Sequence, residues 1–254
     1  MSREKIIVAL DVESANEARA IMSELGGEVG AFKIGLQLFT AAGARFVREA
    51  VESGNKIFLD LKFHDIPNTV AGASVEAARL GAWMFNVHAV GGGEMMRRAV
   101  EEVGEICAKE NLTLPKIIAV TVLTSSNNET LREVGVESGT EAQVLKLAKL
   151  ARQCNLHGVV ASPREIKLIR AEIADKDFLI VTPGIRNLKS QFPNLKSQKS
   201  DDQKRITSAA EALREGADYL VIGRPILKSD NPRLAVREIL DEIANQIETP
   251  AAAE

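Results

Sequence analysis

The sequence predicts an α/β fold, a single-domain (β/α)8 TIM barrel. Three observations carry this prediction. Short apolar runs alternate with amphipathic segments eight times along the chain. The 254-residue length is close to the roughly 250 residues typical of that barrel. The apolar runs end in Asp, Lys, His, Thr, Ser and Gly-Arg, and in such barrels the active site lies at the C-terminal ends of the strands.

Taken in order, Lys5–Leu10 reads as the first strand, and Ala15–Leu25 as a helix with Ala, Ile, Met and Leu along one stripe. Strand Ala31–Gly35 is followed by helix Leu36–Glu52, Lys56–Leu61 by Val70–Leu80, and Met84–His88 by Met95–Lys109. Lys116–Val122 precedes Glu141–Cys154, Gly158–Ala161 precedes Arg164–Ala174, Phe178–Thr182 precedes Ile206–Glu215, and Tyr219–Ile222 precedes Pro232–Ile247. Gly54, Gly81 and Gly216 stand where left-handed C-caps fit. Strands that are apolar throughout and separated by helices argue for a parallel sheet covered by helices. A doubly wound open sheet has the same periodicity and stays open as the second architecture. No Pro/Ser-rich linker divides the chain, so residues 1–248 read as one domain and 249–254 as a frayed tail. The most polar stretch, Asn187–Lys204, reads as a long loop of the kind that often carries function.

Composition narrows the function classes. The formal net charge is −3, from 32 basic and 35 acidic residues, with one Trp and one Tyr, so nucleic-acid binding has little support. No apolar run approaches the roughly 20 residues of a membrane span. The N-terminal apolar stretch is too short for a signal peptide and is interrupted by Asp11. Cys107 and Cys154 lack metal-ligand spacing and read as structural thiols of a reducing cytoplasm.

The most informative stretch is Asp60-Leu61-Lys62-Phe63-His64-Asp65-Ile66-Pro67-Asn68-Thr69. Asp60 and Lys62 are two apart, so on an extended chain they face the same side. Three charges at the end of a buried strand are costly unless paired. Two readings fit this stretch alone: an active-site cluster, or a surface salt-bridge group beside a turn. The other strand ends add Asp11, Lys33, His88, Thr124, Ser125, Ser162, Thr182-Pro183-Gly184-Ile185-Arg186 and Gly223-Arg224. Singly, each has a structural reading; Lys33 fits a snorkelling edge residue, and His88 reads first as a satisfied core histidine. The ends of strands seven and eight point to a phosphate site, because barrels often bind phosphate there. Gly223 admits close approach of the backbone, and Arg186 and Arg224 offer guanidinium forks.

The decapeptide resembles the signature of orotidine 5′-phosphate decarboxylases. Further matches in order are Ala9-Leu10-Asp11, Phe32-Lys33-Ile34-Gly35, Val87-His88-Ala89, Val120 to Ser125, Pro183 to Arg186, Asp201-Asp202-Gln203 and Ile222 to Pro225. The resemblance implies a homodimeric barrel of de novo pyrimidine synthesis that works without cofactor or metal. It would convert orotidine 5′-monophosphate to uridine 5′-monophosphate and carbon dioxide. By motif, Lys62 is then the proton donor, and Lys33, Asp60 and Asp65 complete an alternating charged network. Asp65 and Thr69 would reach the neighbouring subunit's site. Asp11 would contact the ribose, with Lys33 and Thr69 nearby, and Thr124 the pyrimidine. Arg186, Gln203, Gly223 and Arg224 would bind the phosphate region. The segment from Arg186 to Gln203 is longer than the bacterial pattern. The alternative is a magnesium-dependent sugar-phosphate decarboxylase or aldolase of the same suprafamily. Such relatives carry a carboxylate at the position of Lys33, which speaks against it here.

Overall fold

The computed structural model describes residues 2–185 and 207–247. Eight parallel strands close into a barrel in sequence order: β1 (Ile6–Ala9), β2 (Ala31–Gly35), β3 (Ile57–Phe63), β4 (Met84–His88), β5 (Lys116–Val120), β6 (Gly158–Val160), β7 (Leu179–Pro183) and β8 (Tyr219–Ile222). β1 pairs with β8 through Ile6–Leu220, Ile7–Val221 and Val8–Ile222, and this closure excludes the open sheet.

The strands are apolar on both faces because both faces are buried. Ile7, Ala31, Phe58, Met84, Ile118, Val181 and Val221 fill the barrel interior. Their neighbours, among them Ile6, Val8, Phe85 and Ile117, face the surrounding helices. At the entry end of the barrel the Trp83 and Tyr219 rings meet edge to face, with centroids 5.2 Å apart. On the same level, Arg170 donates to the carbonyls of Phe178 and Gly216 and pairs with Asp218 at 2.5 Å, tying the starts of β7 and β8 together.

The helices are α1 (Ala15–Leu25), α2 (Leu36–Glu52), α3 (Pro67–Arg79), α4 (Gly92–Glu110), α5 (Asn128–Glu133), α6 (Gly139–Gln153), α7 (Ile166–Glu172), α8 (Ala209–Glu215), α9 (Arg224–Leu227) and α10 (Pro232–Ile247). Gly54, Gly81 and Gly216 all have positive φ, as their C-cap placement requires.

The structure differs from expectation at several ends. α3 starts at Pro67, where a missing N–H is harmless in the first turn. α5 was not expected; Asn127 caps it by accepting from the Thr130 N–H. α7 is preceded by a 3-10 turn, Pro163–Glu165, in which the Ser162 N–H donates to the Glu165 carboxylate at 2.7 Å, so Ser162 serves as a cap. α8 begins after Ser208, and the expected start at Ile206 lies outside the described residues. β3 runs two residues beyond its expected end, to Phe63. Among the described residues no helix is long and apolar enough to cross a membrane.

Candidate active site

Strand register assembles the site. Ala9 lies beside Lys33, and Gly35 beside Asp60. Alternation then points Lys33 and Asp60 inward at the C-terminal end of the barrel, with Asp11 just beyond β1. The pairing of β3 with β4 shifts between Leu59–Phe85 and Phe63–Val87, so β3 takes four steps where β4 takes two. Lys62 lies inside this bulge with φ of 52°, a left-handed backbone that a lysine rarely adopts.

The side chains form a continuous line of alternating charge. Lys33 Nζ lies 3.1 Å from Asp11 Oδ1 and 3.2 Å from Asp60 Oδ2. Lys62 Nζ lies 2.7 Å from Asp60 Oδ1. Lys33 and Asp60 are each only 8% exposed, whereas the Asp11 side chain is 61% exposed. Burial alone would lower the Lys33 pKa, but the facing charges of Asp60 and Asp11 outweigh it and hold the ammonium protonated. Burial likewise works to raise Asp60, and the charges of Lys33 and Lys62 with hydrogen bonds from Lys62 and Asn86 lower it below the usual carboxylate value. The pairing expected of buried charges is therefore met, and the surface-cluster reading of Asp60 and Lys62 fails.

His88 is not a core histidine. It is half-buried at the end of β4, with its ring 5.6 Å from that of His64. Burial, then His64 and Lys62, lower its pKa against the pull of Asp60, which keeps it neutral near pH 7.

Residues 4–239 match the family model described as orotidine 5'-phosphate decarboxylase / HUMPS family. The chain belongs to this family. It is 54% identical over 243 residues to the orotidine 5'-phosphate decarboxylase of Geobacter sulfurreducens, covering 95% of this chain and 97% of that one. It is 53% identical over 242 residues to that of Pelobacter propionicus, covering 95% and 96%. The crystal structure of the orotidine 5'-phosphate decarboxylase from Lactobacillus acidophilus superposes with a TM-score of 0.79 at 36% identity, covering 94% of this chain and 98% of that one.

Family membership gives the remaining residues a frame. Gly223 brings the end of β8 against β1: a Cβ there would lie 3.4 Å from Asp11 Oδ2 and from Ala9 Cβ. Arg224 is exposed and opens α9 directly after it. Three expected residues stand apart from the charged line within one chain. Asp65 is exposed, and its carboxylate accepts from the Ile66 N–H at 2.6 Å. Thr69 is exposed in the first turn of α3, and Thr124 is half-buried in the turn after β5. Arg186 and Gln203, with the Asn187–Asp202 segment between them, lie outside the described residues.

One member of the site was missed from sequence. Asn86, on β4 and 1% exposed, donates from Nδ2 to Asp60 Oδ1 at 2.7 Å and accepts the Lys62 N–H at 2.8 Å. The available signal was a lone amide two residues before His88 in an otherwise apolar strand, since a buried polar side chain requires partners. Among the described residues no group of three His, Cys, Asp or Glu is placed to hold a metal ion.

Proposed function

We propose that the protein is an orotidine 5′-monophosphate decarboxylase that releases uridine 5′-monophosphate and carbon dioxide in de novo pyrimidine synthesis. The observation that carries this reading is the Asp11–Lys33–Asp60–Lys62 line in a chain about half identical, over nearly its full length, to decarboxylases of that name. The magnesium-dependent alternative needs a carboxylate where this chain has Lys33, an ammonium bonded to two carboxylates. We read residues 1–248 as one catalytic domain acting in the cytoplasm, where the buried thiols of Cys107 and Cys154 stay reduced.

The chemistry needs fixed charges. Loss of carbon dioxide from C6 of the pyrimidine leaves a carbanion with poor resonance stabilisation. Lys62 stabilises that carbanion and then donates its Nζ proton to C6. Asp60 sits beside the departing carboxylate and repels it. Lys33 holds Asp60 in place and ionised. An opposite-charge contact at about 4 Å contributes about 4 kcal/mol at an effective dielectric of 20, a share of the barrier reduction rather than all of it. Because these groups are paired before substrate arrives, little reorganisation accompanies the reaction. Binding energy at the phosphate, held by Arg224 and Gly223 with Arg186 and Gln203, supplies the remainder by enclosing the substrate. Asp11 takes the ribose, and Thr124 the pyrimidine.

The working form is a homodimer with shared sites. Leu36, Ile66, Val90 and Leu123 are exposed large apolar residues just after β2, β3, β4 and β5, along one continuous side of the rim. Such a patch marks a contact surface, and a two-fold axis lets it cover itself. Asp65 is next to Ile66 in this patch. Across the axis, Asp65 and Thr69 would enter the partner's site and extend its charged line.

The test is incubation of the purified protein with orotidine 5′-monophosphate in the presence of a chelator. The orotate absorbance should give way to that of uracil, with one carbon dioxide released per nucleotide. No turnover would sink this reading, and turnover abolished by the chelator would favour the metal-dependent alternative.

A further inference from the structure

Asn86 occupies an inward-facing position of β4, between Met84 and His88, that an apolar side chain would fill as well for packing alone. Its amide is instead used at both ends. A carboxylate only accepts and a backbone N–H only donates, so the amide can sit one way round: Nδ2 toward Asp60 Oδ1 at 2.7 Å, Oδ1 toward the Lys62 N–H at 2.8 Å. Both partners are residues of the charged line. The Lys62 backbone, at φ of 52°, is in a sparsely populated region that persists only where the surroundings hold it. The bulge takes the Lys62 N–H out of the regular pairing with β4, and Asn86 Oδ1 receives it in place of a backbone carbonyl.

We propose that Asn86 is a positioning residue of the active site: its amide locks the Asp60 carboxylate to the Lys62 backbone, so that the proton donor and the fixed negative charge keep one mutual geometry through turnover. This rests on the reading of Asp60 and Lys62 as the reacting groups. The charged and titratable groups facing Asp60 are Lys33 from β2, Lys62 from β3 and His88 from β4, with Asp11 behind Lys33. Asn86 is the neutral donor among them. Without it, Asp60 loses one hydrogen bond to its ionised form and Lys62 loses the acceptor that holds its backbone. A leucine of similar volume would repair the packing and restore neither.

The experiment compares Asn86→Ala with the wild-type homodimer for kcat, KM, product affinity, folding and the pH dependence of kcat/KM. A misplacement of roughly 1 Å costs about a hundredfold, so kcat of Asn86→Ala should fall by that order. KM for orotidine 5′-monophosphate and the dissociation constant of uridine 5′-monophosphate should stay within about threefold, because the phosphate and ribose contacts are untouched. The acid limb of kcat/KM should move to higher pH, since a carboxylate that loses a donor protonates more readily. A kcat within about threefold of wild type, or an unmoved acid limb with KM and product affinity impaired alongside kcat, would overturn the proposal. If Asn86→Ala does not fold, Asn86→Leu fills the same volume with neither the Asp60 donor nor the Lys62 acceptor, and it should show the same kcat loss and acid-limb shift. Failure of both to fold would make Asn86 a residue of the fold and overturn its assignment to the site. Wild-type turnover with an indifferent variant defeats this proposal alone; absence of wild-type turnover defeats the functional reading as well.

Discussion

Lys62 Nζ reaches back to within 2.7 Å of Asp60 Oδ1, two residues earlier on the same strand. On a regular strand their Cα atoms are about 6.6 Å apart, with parallel side chains. Here the left-handed turn at Lys62 and its long stem close the gap. The ammonium is thereby held against a fixed counter-ion on a side chain that is still 29% exposed. Lys62→Ala should abolish turnover while leaving the fold and much of the product affinity intact. Retention of more than about a tenth of wild-type kcat, a change of only about 1.4 kcal/mol in barrier, would remove Lys62 as proton donor.

Asp65 should act in trans. Lys62→Ala and Asp65→Ala subunits, each inactive alone, should recover activity when mixed and allowed to exchange, because one of the two sites in a heterodimer then has both residues. Confirmed exchange without any recovery would show that the site is not shared.

Arg224→Ala should weaken the reaction through the phosphate. A hydrogen bond to a charged group contributes roughly 1.5–3 kcal/mol net, so kcat/KM should drop by about one to two decades. The loss should nearly vanish for a substrate lacking the phosphate. Arg186→Ala and Gln203→Ala, measured the same way, test the two phosphate contacts expected on either side of the Asn187–Asp202 segment. Equal harm from Gln203→Ala with and without the phosphate would strike Gln203 from the phosphate site.

Stability should fall in mild acid partly because of His157. Its Nδ1 accepts the Ile117 N–H at 3.0 Å, and the His157 backbone N–H donates to the Ile117 carbonyl at 2.8 Å. Burial and then nearby Lys116 lower its folded pKa, against the pull of its backbone hydrogen bond. The unfolded chain, near the ordinary value of about 6.5, therefore takes up the proton first. The stabilisation is complete above that value and shrinks as pH falls below it toward the folded pKa. Half-buried His88 adds in the same direction. Urea unfolding of His157→Gln should accordingly show a flatter pH dependence than wild type between about pH 7.5 and 5.5. Superimposable slopes would show that His157 is not titrating across folding.

Much of this was legible in the chain because local periodicity and local motifs coincide. The eight strands appear within two residues of their expected ends, since a strand buried on both faces must be apolar throughout. Closure was legible only through the count of eight units, the chain length and the charged strand ends: the pairing of Ile7 with Val221 joins opposite ends of the chain, and nothing near either residue encodes it. α5 escaped because six residues, Asn128–Glu133, are too few for a helical stripe to stand out. The charged line was readable at Asp60 and Lys62, where two-residue spacing fixes a common side, and Lys33 and Asp11 were readable as charged residues at the ends of the neighbouring strands. The left-handed Lys62 was hidden, because that backbone is usually announced by Gly or Asn and here by neither. Asn86 was hidden with it, since its value lies in two partners that only the folded barrel brings within reach.

The contact of Trp83 with Tyr219 has a practical consequence. These are the chain's one tryptophan and one tyrosine. One precedes β4 and the other begins β8, strands on opposite sides of the eight-membered ring, so their 5.2 Å approach spans the closed barrel at the end away from the charged rim. The protein thus carries an intrinsic optical gauge of ring closure. Energy passed from the phenol to the indole is efficient only while the ring is shut, and the emission is remote from the charged rim. Fluorescence followed during refolding would time the meeting of the two halves, with the absorbance of the substrate left free to follow catalysis.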